Sequence, residues 1–181
     1  MTNKIRLLDS DVISNILKTV SESGIKFNFI NNHHIKFITT SLVVKEVEIY
    51  LRELEYYEKN DEIISYNKAL WKSIKEISHI KETNTPSTLK NMGERSLIET
   101  IPELKTTNYK VVSNNKKDVM HFFKANKINE EKYEYPFEFY EEMNQYWFDN
   151  NYKEMIKFMI ISNRDFKILK KSNLGNILKT V

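Results

Sequence analysis

The sequence predicts an α/β fold in three layers, α/β/α, with a mostly parallel central sheet, a helical insertion and a C-terminal extension. Three observations carry this reading. Short apolar, β-branched runs at Ile5 to Leu8, Ile35 to Thr40 and Tyr109 to Ser113 read as buried strands. Each breaks off directly into polar or acidic residues, and stretches with apolar residues at helical spacing separate them. That order fits parallel strands joined by crossover helices, which cover both faces of the sheet. With only three glycines and three prolines in 181 residues, long regular elements are expected.

Composition sets the outer bounds. A chain of 181 residues, 40% hydrophobic and 12% aromatic, supports one core with elaboration but not two full domains. We expect a single domain over 1–181, with a core at 4–124, a helical insertion at 53–90 and an extension at 125–181. The first apolar run is broken by Asp9, so no secretory signal is expected. No segment approaches the roughly 18 uninterrupted apolar residues of a membrane span. The absence of cysteine excludes disulfides and thiolate metal ligation and points to the cytoplasm. A net charge of +3 permits a nucleic-acid partner without demanding one. No Gly-rich phosphate loop is present, which argues against a nucleotide-cradling enzyme.

The elements follow in order. The first strand ends in Asp9-Ser10-Asp11, after which Val12, Ile13, Ile16, Leu17 and Val20 recur at helical spacing towards Gly24, a helix stop. The second strand ends at Thr40, with Ser41 as the expected N-cap of a helix carrying Leu42, Val43, Val47, Leu51 and Leu54. Glu46 falls in its first or second turn; alone it reads as a solvated helix acid, and only a constellation changes that. From Glu53 to Glu82 the pattern stays helical, a hairpin with Lys68, Lys72, Lys75 and Lys81 off the apolar stripe, and Thr83 to Lys90 reads as a loop.

Asn91 to Glu99 reads as a turn opening a helix, with Gly93 allowing close packing and Glu94 at the positive end of the helix dipole. The third strand runs into Asn114-Asn115-Lys116-Lys117-Asp118. Beyond it, the aromatics of Tyr133 to Phe148 read as a helix packing its rings on the domain, with base stacking the alternative. Phe158 to Phe166 reads as a further strand and turn, which makes Asp165 a competitor for the role of Asp118. His33, His34, His79 and His121 read as structural or surface residues, the last two in helical patterns. The hexapeptide Asn15 to Val20 recurs at Asn176 to Val181, too short to define a repeat fold.

Asp9, Glu46, Glu94 and Asp118 thus each follow a strand or open a helix at one expected edge of the sheet, where open α/β folds collect ligands. Four carboxylates in one cleft repel one another, and a hard divalent cation neutralises them. Oxygen donors without cysteine point to Mg²⁺ or Mn²⁺ rather than zinc. Here the chain resembles the PIN-domain family of metal-dependent ribonucleases, which includes the toxins of many bacterial toxin–antitoxin pairs. The matching pieces are Leu7-Leu8-Asp9-Ser10-Asp11-Val12-Ile13, Glu46, Gly93-Glu94, and Ser113-Asn114-Asn115-Lys116-Lys117-Asp118 for the family's Thr/Ser-x-Asn-x-x-Asp turn. The likeness covers residues 4–124. Asn114-Asn115 stands where some members carry Asp-Asp, and the stretch after Asn126 has no counterpart.

The resemblance implies an endoribonuclease in which Asp9, Glu94 and Asp118 hold one or two Mg²⁺ or Mn²⁺ ions and Glu46 completes the acidic site. Asp11, Ser41 and Asn115 would orient ligands or water, and the products would carry a 5′-phosphate and a 3′-hydroxyl. Lys45, Arg95, Lys116 and Lys117, adjacent to these acids in sequence, are the candidates for holding an RNA backbone that an acidic cleft repels. The implied partners are RNA, an antitoxin protein blocking the cleft, and a second copy in a homodimer, with no membrane. Two alternatives stay open. Asp9-Ser10-Asp11 also resembles the opening of haloacid-dehalogenase-like phosphatases, with Asp9 as nucleophile, Asp11 as acid/base, and Ser113 or Thr40 on phosphate; the paired aspartates that family expects on a later strand are missing. The other alternative is a degenerate PIN-like module that binds RNA or protein without catalysis.

Overall fold

The computed structural model describes residues 4–23, 34–88 and 91–162. Five strands, β1 (Lys4–Leu8), β2 (Ile35–Thr40), β3 (Ser78–Lys81), β4 (Tyr109–Val112) and β5 (Tyr133–Glu134), form one sheet in the order β3-β2-β1-β4-β5. Every pairing is parallel. The central strand β1 sets Leu7 beside Ile38 on one side and Val111 on the other. Leu7, Leu8, Phe37, Val111 and Val112 are all buried, so the central strands are apolar on both faces, as a parallel sheet covered on both sides requires.

The chain moves outward from β1 to β2 and β3, then returns to β4 and β5 on the other side of β1. That reversal opens a crevice beyond the carboxyl ends of β1 and β4. The helices are α1 (Ser10–Ser23), α2 (Ser41–Tyr57), α3 (Asp61–Ile77), α4 (Met92–Thr100), α5 (Lys116–Ala125), α6 (Pro136–Trp147) and α7 (Tyr152–Ser162). Helix α1 contacts α2, α3 and α7, while α4 packs on α5. Helix α2 also meets α4, and the parallel strands joined through these helices make the α/β fold with a parallel central sheet that the sequence predicts. Among the described residues no helix is long and apolar enough to cross a membrane.

Three sequence expectations are corrected. The hairpin expected over residues 53–82 is there, α2 ending where Glu58 N–H closes on Leu54 O and Asn60 opening α3 by accepting from Glu62 N–H at 3.0 Å, but it does not stay helical to its end. Its last residues, Ser78–Lys81, form the edge strand β3, so His79 is a strand residue; pairing with β2, not local propensity, decides this four-residue segment. The N-cap of α2 is Thr40, whose Oγ1 accepts from Val43 N–H at 3.3 Å, and Ser41 is the first helical residue. Phe158 to Ser162 belongs to α7 rather than a strand. Met155, Ile156, Phe158 and Met159 are all buried, and α7 packs on both α1 and α6, while Lys153, Glu154 and Lys157 form its exposed face; it is the unbroken apolar run Phe158 to Ile161 that mimics a buried strand. Asp165, His33 and the second copy of the hexapeptide lie outside the described residues.

The segment after residue 125 is built into the sheet and core. Strand β5 pairs with β4, and the aromatics of α6 pack inward as expected: Phe139 meets Phe37 edge-on at 6.0 Å and Trp147 at 5.1 Å. Arg6 of β1, buried, pairs with Glu134 of β5 at 2.6 Å and with Glu142 of α6, while Lys110 of β4 joins Glu134 at 3.2 Å. Removing either partner of such a buried pair would leave an uncompensated charge, which ties β5 and α6 to the sheet's centre.

Candidate active site

The end of β1 delivers Asp9 into the crevice. Its backbone N–H still donates to Val112 O at 3.2 Å, holding the ends of β1 and β4 together, and its C=O accepts from Ile13 N–H to start α1. The carboxylate is fixed at both oxygens: Ser10 N–H donates to Oδ1 and Ser113 Oγ to Oδ2, each at 2.8 Å. With only 1% of its surface exposed, Asp9 is a buried acid. Burial first, then the charges of Asp11 and Glu94, push its carboxyl well above the usual range, against the pull of the Ser113 and Ser10 bonds. The neighbouring charges acting on Asp9 are themselves carboxylates.

Glu46 arrives from the second turn of α2. Burial raises its carboxyl and the charge of Glu94 adds to that, against the pull of the Ser10 side chain and the Gly93 backbone. Gly93 is what lets α4 approach. A Cβ at this position would lie 2.6 Å from Glu46 Oε2 and 3.2 Å from Asp9 Oδ1, so both acids press on the space that glycine leaves open. The start of α4 is fixed by a buried hydroxyl pair, Thr40 Oγ1 to Ser96 Oγ at 2.6 Å, with Ser96 Oγ also donating to Gly93 O at 2.7 Å.

Glu94, 9% exposed, lies in the first turn of α4 and accepts from Asn115 Nδ2 at 2.9 Å. The same amide nitrogen donates to Asp118 Oδ2 at 2.6 Å, and Asn115 Oδ1 caps α5 by accepting from Asp118 N–H at 3.4 Å. One asparagine therefore joins the acids of α4 and α5. Asp11 accepts from Asn114 N–H at 3.0 Å and Ser113 Oγ accepts from Asn115 N–H at 2.9 Å, so the turn after β4 is laced to the turn after β1.

The four acids singled out in the sequence thus meet at the crevice, linked in a chain: Glu46 and Asp9 across Gly93, Asp9 and Glu94 through their charges, Glu94 and Asp118 through Asn115. Asp11 joins the turns after β1 and β4, and Asn115 bridges Glu94 and Asp118. At the end of β2 the hydroxyl bonded across to α4 is that of Thr40, not of Ser41. Ser10, Thr40, Ser96 and Tyr133, whose hydroxyl donates to Ser113 O, were missed as supports of the site. A legible signal existed for Ser10 and Thr40, hydroxyls standing directly at strand ends. Of the basic candidates, Lys45 and Lys117 are exposed, and Arg95 leans towards Glu99 on its own helix at 3.8 Å. Lys116 stands over the rings of Tyr133 and Tyr135, at 5.7 and 5.3 Å from their centroids.

Oxygen donors from four acids, one of them buried among like charges, fit a hard divalent cation by chemistry. As they stand, no three His, Cys, Asp or Glu side chains among the described residues are arranged to hold an ion. Neutral donors from Ser10, Ser113 and Asn115 occupy the carboxylate oxygens for which a cation would compete. Compared with known proteins, the sequence matches no family model and no curated protein.

Proposed function

We propose that this chain is a PIN-like, metal-dependent endoribonuclease whose acidic crevice takes Mg²⁺ or Mn²⁺. The observation that carries the reading is the convergence of Asp9, Glu46, Glu94 and Asp118, from four separate elements, at the point where the strand order reverses. Ordinary helix caps would satisfy their own helices; here Asp9 is bonded to β4's turn and Glu94 to α5's cap residue. Keeping Asp9 ionised while buried among carboxylates is costly unless a cation balances it.

Asp9, Glu94 and Asp118 would hold the cation and Glu46 would complete the site. When bound, the metal supplies an acidified water and charge neutralisation at a scissile phosphate. The chain's own residues do the rest. Ser113 and Ser10 fix the Asp9 carboxylate, Asn115 sets the spacing of Glu94 and Asp118, and Asp11 locks the turns of β1 and β4 so that these positions hold. In this reading RNA is the substrate and the products carry a 5′-phosphate and a 3′-hydroxyl. An antitoxin over the crevice, a homodimer and a cytoplasmic location extend the proposal by family analogy. The phosphatase alternative needs Asp9 free to attack, whereas both its oxygens are engaged and it is buried.

The test is incubation of a mixed RNA pool with purified protein and Mg²⁺ or Mn²⁺, with EDTA and an Asp9→Asn variant alongside. Metal-dependent cutting that leaves 5′-phosphates and disappears in both controls is the expected result. Intact RNA under either metal with a folded protein would overturn it.

A further inference from the structure

The acidic crevice repels the polyanion that the proposed reaction must bring to it, so a cation has to stand at its rim, and the four sequence candidates are not equivalent. Lys116 is the first residue of α5, beside the turn that carries Ser113 and Asn115. Its ammonium lies over two rings of β5 and the start of α6, 5.7 Å from the centroid of Tyr133 and 5.3 Å from that of Tyr135. The rings form a built seat. Tyr133 is buried, and its hydroxyl donates to the carbonyl of Ser113, the residue whose own hydroxyl holds Asp9. Tyr135 meets Tyr133 edge-on at 5.0 Å and is backed by Phe137, stacked at 5.5 Å with an interplanar angle of 17°.

A lysine held by aromatic faces keeps its charge uncommitted, because a ring attracts the ammonium without neutralising it. Lys116 makes no ion pair among the described residues, unlike Arg95 with Glu99. Resting on the proposed nuclease reading, we infer that Lys116, seated on Tyr133 and Tyr135, holds a backbone phosphate of single-stranded RNA next to the bond being cut. Tyr135 is the positioning residue that presents the ammonium. A flexible single strand fits this arrangement because one point charge close to a recessed acid cluster demands that the backbone bend into the crevice, which a rigid duplex resists.

The experiment measures binding of a fluorescent single-stranded RNA to the full chain in the Asp9→Asn background with Mg²⁺, across a range of salt. Adding Lys116→Met should weaken binding on the order of tenfold at low salt. It should also reduce the slope of log affinity against log salt by about 0.7, the signature of one lost phosphate contact on a single strand. Lys116→Arg should restore most of the slope. Tyr135→Leu should weaken binding while Tyr135→Phe does not, and circular dichroism reports whether each variant is folded. A Lys116→Met protein with unchanged affinity and slope would overturn the inference, as would equal affinity for duplex RNA. Cleavage by the unsubstituted chain, run in parallel, separates the two levels: cutting that persists with an unchanged slope sinks only the role of Lys116. No cutting and no RNA binding in any protein sinks the nuclease reading itself.

Discussion

Replacing Gly93 by alanine distinguishes a shared binding site from a set of unrelated helix caps. The new Cβ would lie 2.6 Å from Glu46 Oε2 and 3.2 Å from both Asp9 Oδ1 and Glu46 Cδ, so something must move. The atom in the way is the tip of a half-buried, flexible side chain, and Glu46 can swing aside. The fold therefore suffers modestly: overpacking costs about 1–3 kcal/mol, offset by up to about 1 kcal/mol that alanine gains over glycine in a helix. The site suffers more, because Glu46 leaves the position it shares with Asp9. For the unsubstituted chain, Mn²⁺ at about 100 times its Kd would add about 2.7 kcal/mol, or about 5–11 °C in Tm for a chain of this size. Displacing a group that orients the ligands typically weakens metal affinity about 10–100-fold, which reduces that gain to about 0.4–1.4 kcal/mol. The assay is thermal denaturation of both proteins with and without Mn²⁺. A folded Gly93→Ala variant with the full Mn²⁺ shift would show that Glu46 and Asp9 do not surround one ion.

Three further outcomes follow from the same geometry. Because the folded state raises the Asp9 carboxyl above its ordinary value of 3.8, the stability this group contributes is present below that pH and is lost as pH rises through the raised value. Metal-free Asp9→Asn should thus melt above the unsubstituted chain at pH 7, as followed by calorimetry, while cleavage falls by on the order of 10²-fold or more. Asn115→Asp puts a third carboxylate between Glu94 and Asp118 in place of the shared amide donor. It should lower the metal-free Tm and enlarge the Mn²⁺-induced shift, and a shift no larger than that of the parent would count against the site. Arg6→Met leaves Glu134 and Glu142 without their buried partner and should cost about 3–5 kcal/mol in urea denaturation; a loss under about 1 kcal/mol would show that these pairs do not hold β5 and α6 in place.

What the sequence disclosed and what it hid divide along physical lines. The three central strands were legible because each is a buried apolar run breaking into polar residues, and that same break placed Asp9, Asp11, Asn115 and Asp118. Glu46 and Glu94 were legible through their distance from a strand end or helix start. The edge strands were not: β3 is Ser78–Lys81 with His79 and Ile80 exposed, and β5 is two residues, so neither carries an apolar signal and both exist through pairing. The end of helix α7 reads as a strand for the opposite reason: Phe158 to Ile161 is an unbroken apolar run. The hydroxyls at the strand ends stood in view, but the partners they reach did not, because those partners are remote in sequence. Thr40 meets Ser96 across 56 residues and Ser113 meets Asp9 across 104, separations at which no local pattern points from one to the other.

If Asp9, Glu46, Glu94 and Asp118 form one hard-cation site, crystals grown with Mn²⁺ will show an anomalous-diffraction peak in the crevice between the ends of β1 and β4, within coordination distance of Asp9 and Glu94, and Asp9→Asn crystals will lack it. A crevice that stays empty at saturating Mn²⁺, with Asn115 still bridging Glu94 and Asp118, would contradict a shared cation site.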